Sequence, residues 1–148
     1  MNQYRDIIRR IMISVNATEG AYYIIAKKSG VKENTLSLLY ALDDGKSHSQ
    51  KEICEEWLIP KTTLNTIVKE CIAAGYIFLD ADQPGKEKMI RLTPMGQNYA
   101  KKILQQIYEL EERAMERTLQ SFSPEFAQAF EEFTKNLANE ARSFTNEP

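Results

Sequence analysis

The chain has 148 residues, of which 43% are hydrophobic and 27% charged, and its formal net charge at pH 7 is −2. This composition is typical of a single globular domain with a substantial core, and no apolar run approaches the roughly 18 residues of a membrane span. Because Arg9 and Arg10 interrupt the only apolar run near the N-terminus, no signal peptide is expected and the predicted location is the cytoplasm.

The first predicted element is a long amphipathic helix. Apolar residues recur at helical spacing from Tyr4 to Val15, and the pattern continues to Gly30, which we expect to end the helix. A short second helix is predicted over residues 33–43. A first helix this apolar needs a partner, either the C-terminal segment of the same chain or a second subunit.

Two helices joined by a tight turn follow. Ser49 and Glu52 form the S-x-x-E capping box, which opens a helix through Trp57. About three residues later a second helix begins at Pro60, and Gly75 stands where that helix should end. Helices joined by so short a turn cross steeply, which is the helix-turn-helix arrangement.

The second helix of this pair has two distinct faces. Its apolar face consists of Leu64, Ile67, Val68, Cys71 and Ile72, and its polar face consists of Thr62, Asn65, Thr66 and Lys69. Short hydrogen-bonding side chains and a cation, without a carboxylate, suit the base edges in the major groove of DNA. An ordinary solvent-exposed helix face is the alternative interpretation.

The periodicity changes after Gly75. Residues 76–79 and 89–93 are predicted strands, and Pro84 and Gly85 mark the turn of a hairpin that forms a wing. Two long amphipathic helices follow, over residues 94–121 and from residues 123–124 onward. Phe126, Phe130 and Phe133 share one face of the last helix, which we interpret as an intersubunit interface rather than as intramolecular core.

The order of these elements resembles that of MarR-family regulators, the multiple-antibiotic-resistance type. The segment IPKTTLNTIVKECIAAGYI is similar to the family's recognition-helix pattern, and RLTPMG is similar to its L-T-x-x-G signature. The resemblance implies a mainly α fold with a small β wing (α+β). It implies one domain over residues 1–148, in which a winged helix-turn-helix at 33–96 lies between dimerisation helices at 1–30 and 97–148.

The function that the resemblance implies is a ligand-responsive transcriptional repressor. A homodimer would bind a pseudo-palindromic site in double-stranded DNA, with recognition helices about one helical turn apart, and a small aromatic effector would regulate it. The expected DNA contacts are Lys61, Thr62, Thr63, Asn65, Thr66, Lys69, Lys86 and Lys88. Two positions differ from the family's pattern. Pro84, Gly85 and Lys86 stand where the family usually has Asp-x-Arg in the wing, and Thr66 stands where it commonly has Arg. We therefore predict a weak contact between the wing and DNA and a modest affinity for DNA.

Other classes of function were weighed against this one. The altered wing and the negative net charge favour, as an alternative, a winged-helix protein-interaction module without specific DNA binding. An enzyme is not expected, because the sequence offers no nucleophile–base pair, phosphate-binding glycine loop or metal-ligand cluster. His48, predicted to be an exposed turn residue, is the only histidine, and Cys54 and Cys71 are expected to be buried, so no metal, cofactor or redox-sensing thiol is predicted.

Overall fold

The computed structural model describes residues 2–80 and 88–146. Over these ranges the chain forms six helices and three short strands, in the order α1 (Gln3–Ser29), α2 (Glu33–Leu42), β1 (His48–Ser49), α3 (Gln50–Trp57), α4 (Lys61–Ala73), β2 (Ile77–Leu79), β3 (Met89–Leu92), α5 (Pro94–Leu119) and α6 (Glu125–Asn146). The predicted fold class, mainly α with a small β wing, is confirmed. None of the described helices has the length and apolarity of a membrane span.

The helix boundaries follow from local capping chemistry. Gly30 ends α1 in the left-handed conformation, with φ of 74°, which glycine adopts without steric cost. The Ser49 hydroxyl accepts a hydrogen bond from the backbone N–H of Glu52 at 3.0 Å, so the predicted cap of α3 is present. Pro60, predicted as the first residue of α4, is instead its N-cap.

The wing belongs to an antiparallel sheet of three strands in the order β1–β3–β2. Ile77 pairs with Leu92 in β2 and β3, and His48 of β1 pairs with Ile90 of β3. The sequence predicted only two strands, and it placed His48 in an exposed turn. A two-residue strand contains no measurable alternation of polarity, and its partner lies some 40 residues further along the chain, so the sequence pattern could not reveal it.

The chain divides into two compact units. The first, Met1–Ile107, contains the core, to which every described helix and strand of that unit except α1 and β1 contributes fully buried large side chains. These are Leu38, Leu39, Leu42, Ile53, Leu64, Ile77, Ile90, Leu92, Leu104 and Ile107. The core therefore packs the helix-turn-helix, the strands of the wing and the first half of α5 against α2.

The second unit, Tyr108–Pro148, contains the remainder of α5 together with α6. None of the described side chains of α6 is buried. Its apolar face is therefore open in the single chain, with Phe126, Phe130 and Leu137 between 41% and 53% exposed. The intersubunit role predicted for this face remains a prediction, as does the single domain over residues 1–148.

Candidate nucleic-acid interface

The turn between α3 and α4 fixes the direction of the second helix. Ile59 is 2% exposed and anchors the turn in the core, whereas Leu58 beside it is 85% exposed. Leu58 has a φ of 49°, a left-handed conformation that a residue with a Cβ adopts only at a cost of roughly 1–2 kcal/mol. The carbonyl of Pro60 accepts the first hydrogen bond of α4, from the N–H of Leu64 at 2.9 Å.

The apolar face of α4 holds the helix on the core. Leu64, Ile67, Val68 and Cys71 are buried as predicted, with exposed fractions of 6% or less, but Ile72 is 39% exposed. Ile72 lies one residue beyond the buried stripe, in the last turn of the helix, so the predicted apolar face was one residue too wide. Burial of the other four positions leaves the opposite side of α4 as a rigid surface.

The opposite side of α4 presents the predicted polar residues. Lys61, Thr62, Thr66 and Lys69 are exposed, and Asn65 is partly exposed. Within the residues that the structure describes, neither Lys61 nor Lys69 forms an ion pair. The Thr66 hydroxyl donates a hydrogen bond to the carbonyl of Thr62 at 3.1 Å, which leaves its oxygen lone pairs as acceptors.

Thr63 is partly buried, as Asn65 is. Together with Thr66, Lys32 and Glu70, it lines a cavity of about 300 Å³ between α4 and the start of α2. Among the predicted DNA contacts on α4, Thr63 and Thr66 therefore lie on the side of the helix that borders α2.

Only part of the predicted wing site can be located. Lys88 is exposed immediately before β3, and Lys86 lies outside the described residues, as do Pro84 and Gly85. Arg91, which was not among the expected contacts, is exposed on β3 opposite Phe78 of β2. Two cations, Lys88 and Arg91, therefore stand on the described part of the wing.

A network of acidic groups surrounds His48 at the start of this sheet. One ring nitrogen, Nε2, lies 2.9 Å from both carboxylate oxygens of Asp44, and Nδ1 lies 3.6 Å from Oε2 of Glu52. Desolvation acts to raise the pKa of Asp44, but hydrogen bonds from His48 and from the backbone N–H of Lys46 hold it below its usual value. The network ties β1 to the turn before it and to the first turn of α3.

Hydrogen bonds of Thr93 connect the end of α4 to the wing and to α5. The Thr93 hydroxyl donates to the carbonyl of Gly75 at 2.5 Å and accepts from the N–H of Gly96 at 2.9 Å. The backbone N–H of Thr93 donates to the carbonyl of Tyr76 at 3.0 Å. A Cβ at Gly96 would lie 1.9 Å from the Tyr76 oxygen, so only glycine permits this approach.

The two cysteines differ in burial. Cys71 is 6% exposed, and burial, assisted by the charge of Glu70, raises the pKa of its thiol, which disfavours the nucleophilic thiolate. Cys54 was also expected to be buried but is only partly so. Among residues 2–80 and 88–146, no group of three or more potential ligands is placed to hold a metal ion.

A second cavity, which sequence reasoning did not find, lies behind the helix-turn-helix within the first unit. Its volume is about 380 Å³, and α1, α2, the end of α3 and α5 each contribute to its wall. The wall includes Tyr22, Leu36, Tyr40, Trp57 and Ile107, with Glu19 and Glu33 on the same lining. These positions are spread over almost 90 residues of sequence, so no local motif could identify them as one site.

Comparison with known proteins gives a family match for part of the sequence and structural matches for nearly all of it. Residues 29–86 match the sequence profile of the MarR family. No curated protein matches the chain by sequence. Among solved structures, the fold is similar to that of NMB1585, a MarR family regulator from Neisseria meningitidis, with a TM-score of 0.70 and 20% identity over 98% of this chain and 97% of that one.

Two further solved structures were determined with small molecules. NadR in complex with 4-hydroxyphenylacetate has a TM-score of 0.67 and 16% identity, over 89% of this chain and 92% of that one. Staphylococcus aureus MarR in complex with salicylate and kanamycin has a TM-score of 0.58 and 17% identity, over 96% of this chain and 91% of that one. At these identities the similarity is one of fold.

Proposed function

We propose that the chain is a MarR-family transcriptional regulator that binds a specific site in double-stranded DNA as a homodimer, which the family match over residues 29–86 supports. The observation that carries this proposal is the outer face of α4. That face combines exposed Thr and Lys side chains with Asn65 and has no carboxylate at those positions, on a helix whose other face is buried.

The residues of this face would have two different roles in binding DNA. Thr62, Asn65 and Thr66 would contact base edges in the major groove, because their hydroxyl and amide groups have the size and hydrogen-bonding capacity required there. Lys61, Lys69 and Lys88 would contact phosphates, which set register and salt dependence. Thr63 would contact a base or a nearby phosphate, and Lys86 is proposed as a further phosphate contact on the basis of sequence alone.

A homodimer would account for the apolar surface that the single chain leaves exposed. On α1, Tyr4, Ile13 and Ile24 are 62–71% exposed, and on α6 the face containing Phe130 is open. Apolar surface of this extent usually marks an interface between proteins. A two-fold dimer built through these helices would present two copies of α4, which matches a pseudo-palindromic site.

A small molecule would control this regulator by binding in the cavity beside Trp57. The volume of this cavity, about 380 Å³, falls within the roughly 300–1,000 Å³ of small-molecule sites. Two proteins of the same fold are known in complex with small molecules, 4-hydroxyphenylacetate in one and salicylate with kanamycin in the other. Because α2 and α3 form part of the wall, an occupant would bear directly on the helices that support α4. We propose that the occupied form has lower affinity for DNA, as in a ligand-released repressor.

The proposal is tested by fluorescence-anisotropy titration of labelled DNA from the region upstream of the protein's own gene. Asn65→Ala and Thr66→Ala should each weaken binding to the specific site by about 1–3 kcal/mol, because each removes a base contact. Binding to random DNA should be unchanged. Asn98→Ala, the same substitution at an exposed position of α5, is the matched control.

An equal affinity for upstream and random DNA, unaffected by either substitution on α4, would contradict the proposal. In that case the outer face of α4 would be an ordinary solvated surface, and the protein-interaction module would become the better account of this fold.

A further inference from the structure

The cavity beside Trp57 has an aromatic corner in its wall. The rings of Tyr40 and Trp57 both belong to the lining and contact each other as a tilted pair, with centroids 5.4 Å apart and planes inclined at 57°. Tyr22 adds a third ring to the same lining. The faces of aromatic rings carry negative charge density, and several rings around one space attract an organic cation, most strongly a quaternary ammonium group.

The charged groups of the lining also favour a cationic ligand. Glu19 of α1 and Glu33 of α2 are both part of it, and among the described lining residues there is no Lys, Arg or His. Both glutamates are exposed, so water screens their charges, but two carboxylates on one lining still favour a positively charged occupant over an anion.

The hydroxyl groups of Thr18 and Ser37, two of the four in the lining, do not reverse this preference. Thr18 donates its hydrogen to the carbonyl of Ser14 at 2.8 Å, and Ser37 donates to the carbonyl of Glu33 at 3.1 Å. A hydroxyl group has one hydrogen to donate, so these two side chains offer a ligand acceptor oxygens only. The carboxylate of an aromatic acid would therefore find neither a cation nor a donor from Thr18 or Ser37.

We propose that this cavity binds an aromatic or alkyl ammonium cation, held by the rings of Tyr40 and Trp57 and by the carboxylates of Glu19 and Glu33. The inference rests on the proposed function for its regulatory meaning, and it specifies the chemical class of the effector. That class differs from 4-hydroxyphenylacetate in the NadR complex and from salicylate, one of the two compounds in the Staphylococcus aureus MarR complex.

The chain has a built-in reporter for this binding. Trp57 is the only tryptophan in the sequence, so the intrinsic fluorescence of the protein comes from the wall of the cavity. Titration with benzyltrimethylammonium, without DNA, should change that fluorescence saturably. The same titration with 4-hydroxyphenylacetate should give an affinity lower by about tenfold or more, because the two carboxylates attract one probe and repel the other.

Variants locate the bound cation. Glu19→Gln combined with Glu33→Gln preserves shape and removes both charges, and should weaken benzyltrimethylammonium binding by about tenfold. Tyr40→Leu keeps an apolar side chain without the ring, and should weaken it by about fivefold. Glu55→Gln, at an exposed position of α3 outside the lining, is the matched control and should leave the affinity unchanged.

The outcomes separate this inference from the proposed function. Equal or tighter binding of 4-hydroxyphenylacetate, or an unchanged affinity in the double Glu→Gln variant, would overturn the cation site. If the cation binds as expected but saturating amounts leave the DNA affinity unaltered, the cation site stands and the proposed ligand control is refuted. If instead 4-hydroxyphenylacetate binds more tightly than benzyltrimethylammonium and releases the DNA, ligand control stands and the cation site is overturned.

Discussion

Gly96→Ala should be one of the most damaging single-methyl changes available in this chain. The added Cβ would lie 1.9 Å from the Tyr76 oxygen and 2.7 Å from its carbonyl carbon, whereas carbon–oxygen contacts in proteins are usually about 3.3 Å or longer. The start of α5 or strand β2 would have to retreat by more than about 1 Å. Both obstructing atoms belong to the backbone, so no side-chain rotation can relieve the contact.

The expected cost combines two effects. Forcing an extra methyl group into a packed site costs about 1–3 kcal/mol. The same displacement stretches the hydrogen bonds from Thr93 N–H to Tyr76 and from Gly96 N–H to Thr93, at about 1 kcal/mol each. A total loss of about 3–5 kcal/mol is expected, a large part of the roughly 5–15 kcal/mol that stabilises a typical domain.

Urea unfolding followed by circular dichroism, at one fixed protein concentration, measures this loss. Gly20→Ala is the control, because Gly20 lies inside α1 with no atom within 4 Å of the added Cβ. Its substitution should raise the free energy of unfolding by about 0.5–1 kcal/mol, since alanine favours a helix over glycine. A Gly96→Ala protein within about 0.5 kcal/mol of the unsubstituted chain would refute the reasoning.

Three further predictions concern the wing, the dimer and the network around His48. Lys88→Ala should lower the affinity for all DNA sequences equally and reduce the salt slope by about one unit; a loss confined to one sequence, measured by anisotropy, would contradict a phosphate contact. Phe130→Asp should convert a dimer to monomers in sedimentation velocity, whereas Phe130→Leu should not, and a dimeric Phe130→Asp protein would remove α6 from the interface. Asp44→Asn should lower the free energy of unfolding at pH 7, because a carboxyl whose folded pKa is depressed stabilises the fold above its unfolded pKa. The effect should disappear once the pH has fallen below the depressed folded pKa. Equal losses at the two pH values in urea unfolding would exclude the bond to His48 as their source.

The parts of the fold that the sequence predicted correctly are those set by local chemistry. Gly30 ends a helix because it can adopt a left-handed conformation, and Ser49 begins one because its hydroxyl meets a free N–H three residues later. The L-T-x-x-G signature has a similar basis, since Thr93 caps α5 and Gly96 allows close contact with β2. Such signals span a few residues and operate whatever the rest of the chain does.

The parts that sequence reasoning missed depend on contacts between distant segments. Strand β1 exists because His48 meets Ile90, and the cavity exists because Trp57 lies near residues of α1, α2 and α5. Periodicity located the outward face of α4 but did not distinguish Thr63, whose partial burial comes from its proximity to the start of α2. Periodicity also assigned Ile72 to the buried face although it is 39% exposed, because the sequence does not show where the apolar face of a helix ends.

The internal hydrogen bond of α4 limits which bases this protein could select. Thr66 directs its only hydroxyl hydrogen to Thr62, so towards DNA its oxygen can only accept. In the major groove the amino groups of adenine and cytosine are donors, whereas guanine presents two acceptors. Asn65 offers a donor and an acceptor together, the pair that adenine complements. A half-site beneath these two side chains should therefore contain adenine beside Asn65 and exclude guanine from the position beside Thr66.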